Sequence, residues 1–291
     1  MPATYVLTLS CPDRPGLVYA VTRWITEAGG NILDSQQYTE LAPTTAHAAD
    51  RDGEFFLRVH VDFGEERDVA ALAEAFAPVA NGFSMRFSLV VAERPLRTLV
   101  MVSKEGHCLN DLLYRQSTGS LNVEVPAVVG NHRDLERLAS VYDVPFHHVP
   151  VTKDTKPEVE AEVLRLVEEL DVDLVVLARY MQILSDDLCR ALSGRAINIH
   201  HSFLPSFKGA RPYHQAHDRG VKLIGATAHY VTADLDEGPI IEQDTVRVTH
   251  AESAAELARR GADVERQVLS RAVLWHAQNR VIRHGNHTIV F

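Results

Sequence analysis

The chain opens on a strand-like alternation. From residue 5 to residue 10 large and small side chains alternate, and Asp13-Arg14-Pro15-Gly16 follows as a turn that also starts a helix. Leu17, Val18, Val21, Trp24, Ile25 and Ala28 then recur at helical spacing, and Gly29-Gly30 ends the run. Residues 31–40 and 54–62 read as strands joined by a polar loop. A second amphipathic stretch over 68–77 carries Val69, Leu72, Ala73 and Phe76 on one side, and 84–91 reads as a closing strand. The order βαββαβ predicts a ferredoxin-like domain over residues 1–91, two helices on one face of an antiparallel sheet.

Residues 92–97, charged and holding Pro95, read as a linker. Over 98–291 the pattern changes to strands alternating with helices: 99–102 then 107–116, 123–129 then 134–142, 146–149 then 157–170, followed by the wholly apolar run 174–178 and the strand 196–200. Such a series predicts a Rossmann-like, mostly parallel sheet covered on both faces, with ligands beyond the carboxyl ends of its strands. The expectation is therefore an α/β chain of two domains.

Charge and composition narrow the function classes. With 29 Lys+Arg against 39 Asp+Glu the formal net charge is −10, which argues against nucleic acid as a partner. No apolar run approaches the roughly 18 residues of a membrane span, and Met1-Pro2-Ala3-Thr4 is not a basic region followed by an apolar core. A cytoplasmic location without membrane association is the expectation. Cys11, Cys108 and Cys189 are too widely spaced for a disulfide framework or a CxxC knuckle. The 15 histidines leave metal binding, acid–base catalysis or no chemistry at all open.

Two segments suggest chemistry. In Ala196-Ile197-Asn198-Ile199-His200-His201 the strand period puts Asn198 and His200 on one face and the two isoleucines on the other. An amide donor beside an imidazole suits the oxyanion of a carbonyl under attack, although both side chains could equally bond loop backbone. The acidic turn Thr232-Ala233-Asp234-Leu235-Asp236-Glu237-Gly238-Pro239 suggests a carboxyl with a raised pKa, a carboxylate paired to an imidazole, or simply a solvated bend. His214, His217 and His229 with His200 and His201 raise a zinc hypothesis. The His-x2-His spacing is out of step with helical zinc sites and no cysteine is near, so no metal is expected. Lys208-Gly209-Ala210-Arg211 suits an anion or a solvated helix entry, and 203–213 is a candidate lid.

Taken together, Asn198-Ile199-His200-His201-Ser202-Phe203-Leu204-Pro205-Ser206-Phe207-Lys208-Gly209 and Leu235-Asp236-Glu237-Gly238-Pro239-Ile240-Ile241 resemble the signature of the folate-dependent formyl transferases. His201, the segment His107-Cys108-Leu109-Asn110-Asp111-Leu112-Leu113 and the run Gly225-Ala226-Thr227-Ala228-His229-Tyr230 resemble the hydrolytic, deformylase branch, over essentially the whole chain. The resemblance implies hydrolysis of 10-formyltetrahydrofolate by water to formate and tetrahydrofolate, supplying formate for purine biosynthesis and balancing folate pools, with no cofactor. It implies Asn198, His200 and Asp236 as the catalytic trio, and a folate pocket between Arg179–Leu184 and the turn at 231–236. Met181, Gln182, Leu184, His201, His229, Ala233, Asp234 and His107 are the substrate-binding candidates on that basis.

The first domain is similar to the ACT regulatory module through Asp13-Arg14-Pro15-Gly16 and Gly30-Asn31-Ile32. That implies a small amino-acid effector near Asp13, Gly16 and Asn31 where two such domains meet, and hence a homo-oligomer. Ordinary turn chemistry accounts for the same residues equally well. Two other functions are weighed. In transfer of the formyl group to an amine, a phosphate-bearing acceptor is disfavoured because Val102-Ser103-Lys104-Glu105-Gly106-His107 holds one glycine and an acid where ribotide-using relatives cradle phosphate. In a catalytically inactive folate or amino-acid sensor, the three catalytic candidates would have no reason to stand together.

Overall fold

The computed structural model describes residues 3–41, 53–204 and 212–291. The chain divides into two compact units, one of residues 1–94 with 278–282 and 289–291, the other of 95–277 with 283–288. This differs from the sequence reading at one point, the two pieces near the end of the chain. The boundary falls between Arg94 and Pro95, inside the stretch read as a linker, and two short pieces of the expected second domain return to the first unit.

The first unit holds β1 (Thr4–Pro12), α1 (Leu17–Glu27), β2 (Asn31–Glu40), β3 (Glu54–Asp62), α2 (Val69–Gly82) and β4 (Arg86–Val91). Its sheet runs β2-β3-β1-β4, each neighbouring pair antiparallel. Strand alternation sends Tyr5, Leu7, Leu9, Leu57, Val59 and Val61 to one face, where Leu17, Val21 and Ile25 of α1 and Leu72 and Phe76 of α2 bury against them. Both helices therefore cover the same face. Gly16, at φ +94°, takes the left-handed turn that starts α1. Arg58, on the opposite face, donates to the carbonyls of Gln278 and Asn279 and pairs with Asp34, which ties the returning segment to the sheet.

The second unit holds β5 (Leu96–Val102), α3 (His107–Ser117), β6 (Val123–Glu124), β7 (Val128–Gly130), α4 (Glu136–Val141), β8 (Phe146–His148), α5 (Lys156–Glu169), β9 (Leu174–Leu177), α6 (Asp186–Ala191), β10 (Ala196–His200), α7 (Pro212–Asp218), β11 (Leu223–Tyr230), β12 (Ile240–Arg247) and α8 (Ala254–Ala277). A short β13 (Val281–His284) and β14 (His287–Val290) pair after it. The main sheet is ordered β12-β11-β10-β9-β5-β7-β8. From β10 to β8 the pairs are parallel; β11 and β12 add on antiparallel. Successive residues of β5 point to opposite faces and all are buried from Thr98 to Val102, as a sheet covered on both sides requires.

Three elements differ from the periodicity. The strand expected over 123–129 is cut in two, because Pro126 has no N–H for the ladder. The short α6 is capped by Ser185, whose hydroxyl accepts from the Leu188 N–H. The long α8 begins with a reciprocal cap: Ser253 N–H donates to the Glu256 carboxylate while Glu256 N–H points back at the Ser253 hydroxyl.

Candidate active site

Asn198 and His200 stand at the carboxyl end of β10, where the sheet changes from parallel to antiparallel. The register of β10 on β11 sets Asn198 opposite His229 and His200 opposite Thr227. Thr227 is fully buried and works as a clamp. Its hydroxyl donates to the Ser202 carbonyl and accepts from Leu204 N–H and the Gln243 amide, which fixes the backbone just after His200.

Asp236 arrives from the turn between β11 and β12. It occupies the left-handed region at φ 58°, tolerated by Asp better than by most residues. Gly238 two residues on is needed for close approach, since a Cβ there would overlap the Tyr230 carbonyl oxygen. The turn thus folds onto β11 and presents one carboxylate inward. Asp236 Oδ2 lies 3.3 Å from His200 Nδ1, and Oδ1 lies 3.7 Å from His229 Nε2. The His200 imidazole above all holds its carboxyl well below the usual carboxylate range, against the opposing effect of burial. Asp236 is therefore ionised at neutral pH, and of the sequence alternatives the imidazole-paired carboxylate is the one observed.

His229 settles the direction of the hydrogen bonds. Its Nδ1 is 2.9 Å from the Tyr230 carbonyl, which can only accept, so Nδ1 carries the proton. In the neutral ring Nε2 then accepts from the Asn198 amide nitrogen at 3.3 Å. One amide hydrogen of Asn198 is committed to His229 and the other is available. By the same logic His200 donates from Nδ1 to Asp236, leaving Nε2 for a substrate.

The remaining candidates divide. His201 lies beside His200, the rings tilted and their centroids 5.1 Å apart, and its pKa is pushed down to about 4, first by burial and then by Arg179 and His200. Gln182 and Leu184 line a shallow cleft with Tyr180, Ile183, Lys156 and Glu160, whereas Met181 is exposed beside it. Core packing accounts for Tyr180 and Leu184, but not for the exposed Met181 and Ile183. Ala233 and Asp234 lie on the exposed part of the acidic turn. His107 bonds Glu265 instead of a member of the trio, its Nε2 2.8 Å from the carboxylate. His214 and His217 are exposed on α7. Asp13 and Gly16 lie at the end of β1, while Asn31 starts β2 at the opposite end of the sheet, so one chain alone does not bring the three together. The anion-binding reading of Lys208–Arg211 and residues 205–211 of the lid segment lie outside the described residues.

An amide, an imidazole and a carboxylate thus stand together beyond the strand ends of an open sheet. The formyl transferase family model matches residues 96–273, and the chain belongs to that family. Within it the chain is 50% identical to the formyltetrahydrofolate deformylase of Bacillus subtilis, over 98% of this chain and 93% of that one. The crystal structure of a formyltetrahydrofolate deformylase from Pseudomonas syringae superposes with a TM-score of 0.92 at 44% identity, covering 100% of this chain and 95% of that one. Glycinamide ribonucleotide transformylase 1 from Symbiobacterium toebii superposes at 0.64 and 30% identity, over 70% of this chain and 98% of its own.

Proposed function

We propose that the chain hydrolyses 10-formyltetrahydrofolate to formate and tetrahydrofolate, which supplies formate for purine synthesis and balances the folate pools. The observation that carries this reading is the convergence of Asn198, His200 and Asp236, with His229 fixing the orientation of the Asn198 amide. Water adds to the formyl carbon. The free Asn198 N–H and a protonated His200 meet the developing oxyanion, a role in which preorganised donors contribute most. Asp236, ionised, accepts a proton from the incoming water or holds it in line, and keeps His200 charged. As the C–N bond breaks, the formyl carbon leaves as formate and N10 takes the proton, relayed through His200.

The folate lies between the segment of Met181, Gln182 and Leu184 and the turn carrying Ala233 and Asp234, with His201 and His229 as neighbouring walls. No cofactor or metal is needed for these steps. In the first unit Asp13 and Gly16 of one copy and Asn31 of a second form an ACT-type site for a small amino acid, in a homo-oligomer. The enzyme works in the cytoplasm; among the described residues no helix is long and apolar enough to cross a membrane.

The test is direct. Purified protein with 10-formyltetrahydrofolate releases formate and tetrahydrofolate in equal amounts; binding of a folate analogue without formate release overturns the hydrolase reading in favour of a sensor.

A further inference from the structure

The order of the main sheet places a topological switch between β5 and β9: from β5 the chain winds outward through β7 to β8, then returns to lay β9 against the other edge of β5. In open α/β sheets the crevice beyond the carboxyl ends at such a point is where ligands bind. Here side chains fill it. His107 follows β5, Arg179 follows β9, Tyr213 comes from α7, and all three meet Glu265 of α8.

Glu265 is 1% exposed, a carboxylate in the buried stripe of a helix whose other buried neighbours include Leu257, Val264, Val268 and Leu269. Its Oε1 accepts from the Tyr213 hydroxyl at 2.6 Å and its Oε2 from His107 at 2.8 Å, with Arg179 Nε 3.4 Å away. Burial pushes its carboxyl up, but His107, the Arg179 charge and Tyr213 together hold it below its ordinary value. One turn earlier α8 carries Gly261, where a Cβ would overlap the Tyr213 ring. A glycine in a helix interior and a carboxylate in its buried stripe are each unfavourable alone. Both serve to seat Tyr213. The Tyr213 ring is in turn 6.5 Å from that of His201, which lies beside His200, so the cluster begins one side chain away from the catalytic imidazole.

We propose that Glu265, with Tyr213, Arg179 and His107, is a specificity element that occupies the ground beside His200 where an amine acceptor would stand, leaving water as the nucleophile that reaches the formyl carbon. The inference rests on the hydrolase reading above. A protein named as a glycinamide ribonucleotide transformylase shares this fold over 70% of the chain, so the fold itself is compatible with another acceptor. The cluster accounts for the difference by occupancy. Its balance is simple: when space is opened, an amine nitrogen replaces the water oxygen, bonds to the formyl carbon, and gives up a proton as N10 gains one.

The experiment is a partition assay with 10-formyltetrahydrofolate and glycinamide, formate and N-formylglycinamide both being measured by NMR. Wild-type enzyme yields formate. Tyr213→Ala and Arg179→Ala each open the cluster, and each is expected to raise the N-formylglycinamide-to-formate ratio at least about tenfold. Tyr213→Phe, which keeps the ring, leaves the ratio at the wild-type value; an equal rise in it overturns the occupancy argument. Should Tyr213→Ala fail to fold, as judged by circular dichroism, Arg179→Ala carries the same expectation. Variants that still release formate with an unchanged ratio overturn this proposal alone. A wild-type protein that releases no formate overturns the hydrolase reading instead.

Discussion

His200 Nδ1 and Asp236 Oδ2 face each other at 3.3 Å, one from the end of a strand and the other from a left-handed turn. Because the carboxylate can only accept, the pair fixes which nitrogen of His200 keeps its proton and which is offered to the formyl group.

Replacing the carboxylate tests that pair. Asp236→Asn keeps the shape but loses the charge that favours a protonated His200. Formate release is expected to fall about a thousandfold, while the dissociation constant of a folate analogue stays within about threefold. Turnover near the wild-type rate would remove Asp236 from the mechanism.

His229 touches the reaction through Asn198. His229→Phe leaves the amide without the acceptor that orients it, and kcat is expected to drop about 10- to 100-fold with little change in KM. His229→Gln, which can still accept from Asn198, recovers part of the loss. A Phe variant with full kcat shows that Asn198 needs no such support.

Gly238→Ala places a methyl on the Tyr230 carbonyl oxygen, the group that holds His229 Nδ1. The turn must move outward and carry Asp236 with it. A destabilisation of about 1–3 kcal/mol is expected in urea melts, together with loss of most activity. Gly238→Ala with normal kinetics would mean that the turn adapts without displacing the carboxylate.

Stability should weaken on mild acidification. His201 and His276 are both held down to about 4, His276 by burial and then by Arg283, against an ordinary value of 6.5. Below pH 6.5 the unfolded chain takes up protons that the folded chain refuses, so stability present above that pH is lost progressively toward pH 4. Each imidazole contributes a slope of about 1.4 kcal/mol per pH unit in that window. Asp236 acts in a different range, since a lowered carboxyl favours the fold above its unfolded value and loses that contribution only in stronger acid. Urea midpoints measured from pH 7 to pH 5 should therefore fall less steeply for His276→Gln, which can still hydrogen-bond Tyr230; parallel curves for variant and wild type would rule the imidazole out as the cause.

Arg58→Ala removes the donors that hold the Gln278 and Asn279 carbonyls. A loss of about 2–4 kcal/mol is expected. Amide exchange should accelerate first over residues 278–282; uniform acceleration across the unit would show that the contact is not local.

The periodicity of the chain was sufficient for most strands and helices because their apolar faces are unambiguous: Leu17, Val21 and Ile25 could only be one side of a helix. It failed at Pro126, where a single missing N–H outweighs four neighbouring valines, and over α8, where Gly261 and Glu265 break the apolar stripe. The Ser253-Ala254-Ala255-Glu256 cap was the available signal for that helix. Asn198, His200 and Asp236 could be chosen from local chemistry and resemblance. The part played by Glu265 could not, because a lone carboxylate in the sequence says nothing of the three partners that distant segments bring to it.

The return of Gln278–Ile282 and Ile289–Phe291 to the first unit bears on how such a protein can be rearranged. A module built from both ends of a chain cannot be swapped by one crossover. A graft that carries only residues 1–94 onto another enzyme would leave the Arg58 side of its sheet without Gln278 and Asn279, so exchange of this regulatory candidate between enzymes requires two coordinated junctions, or a neighbour that already supplies acceptors to that face.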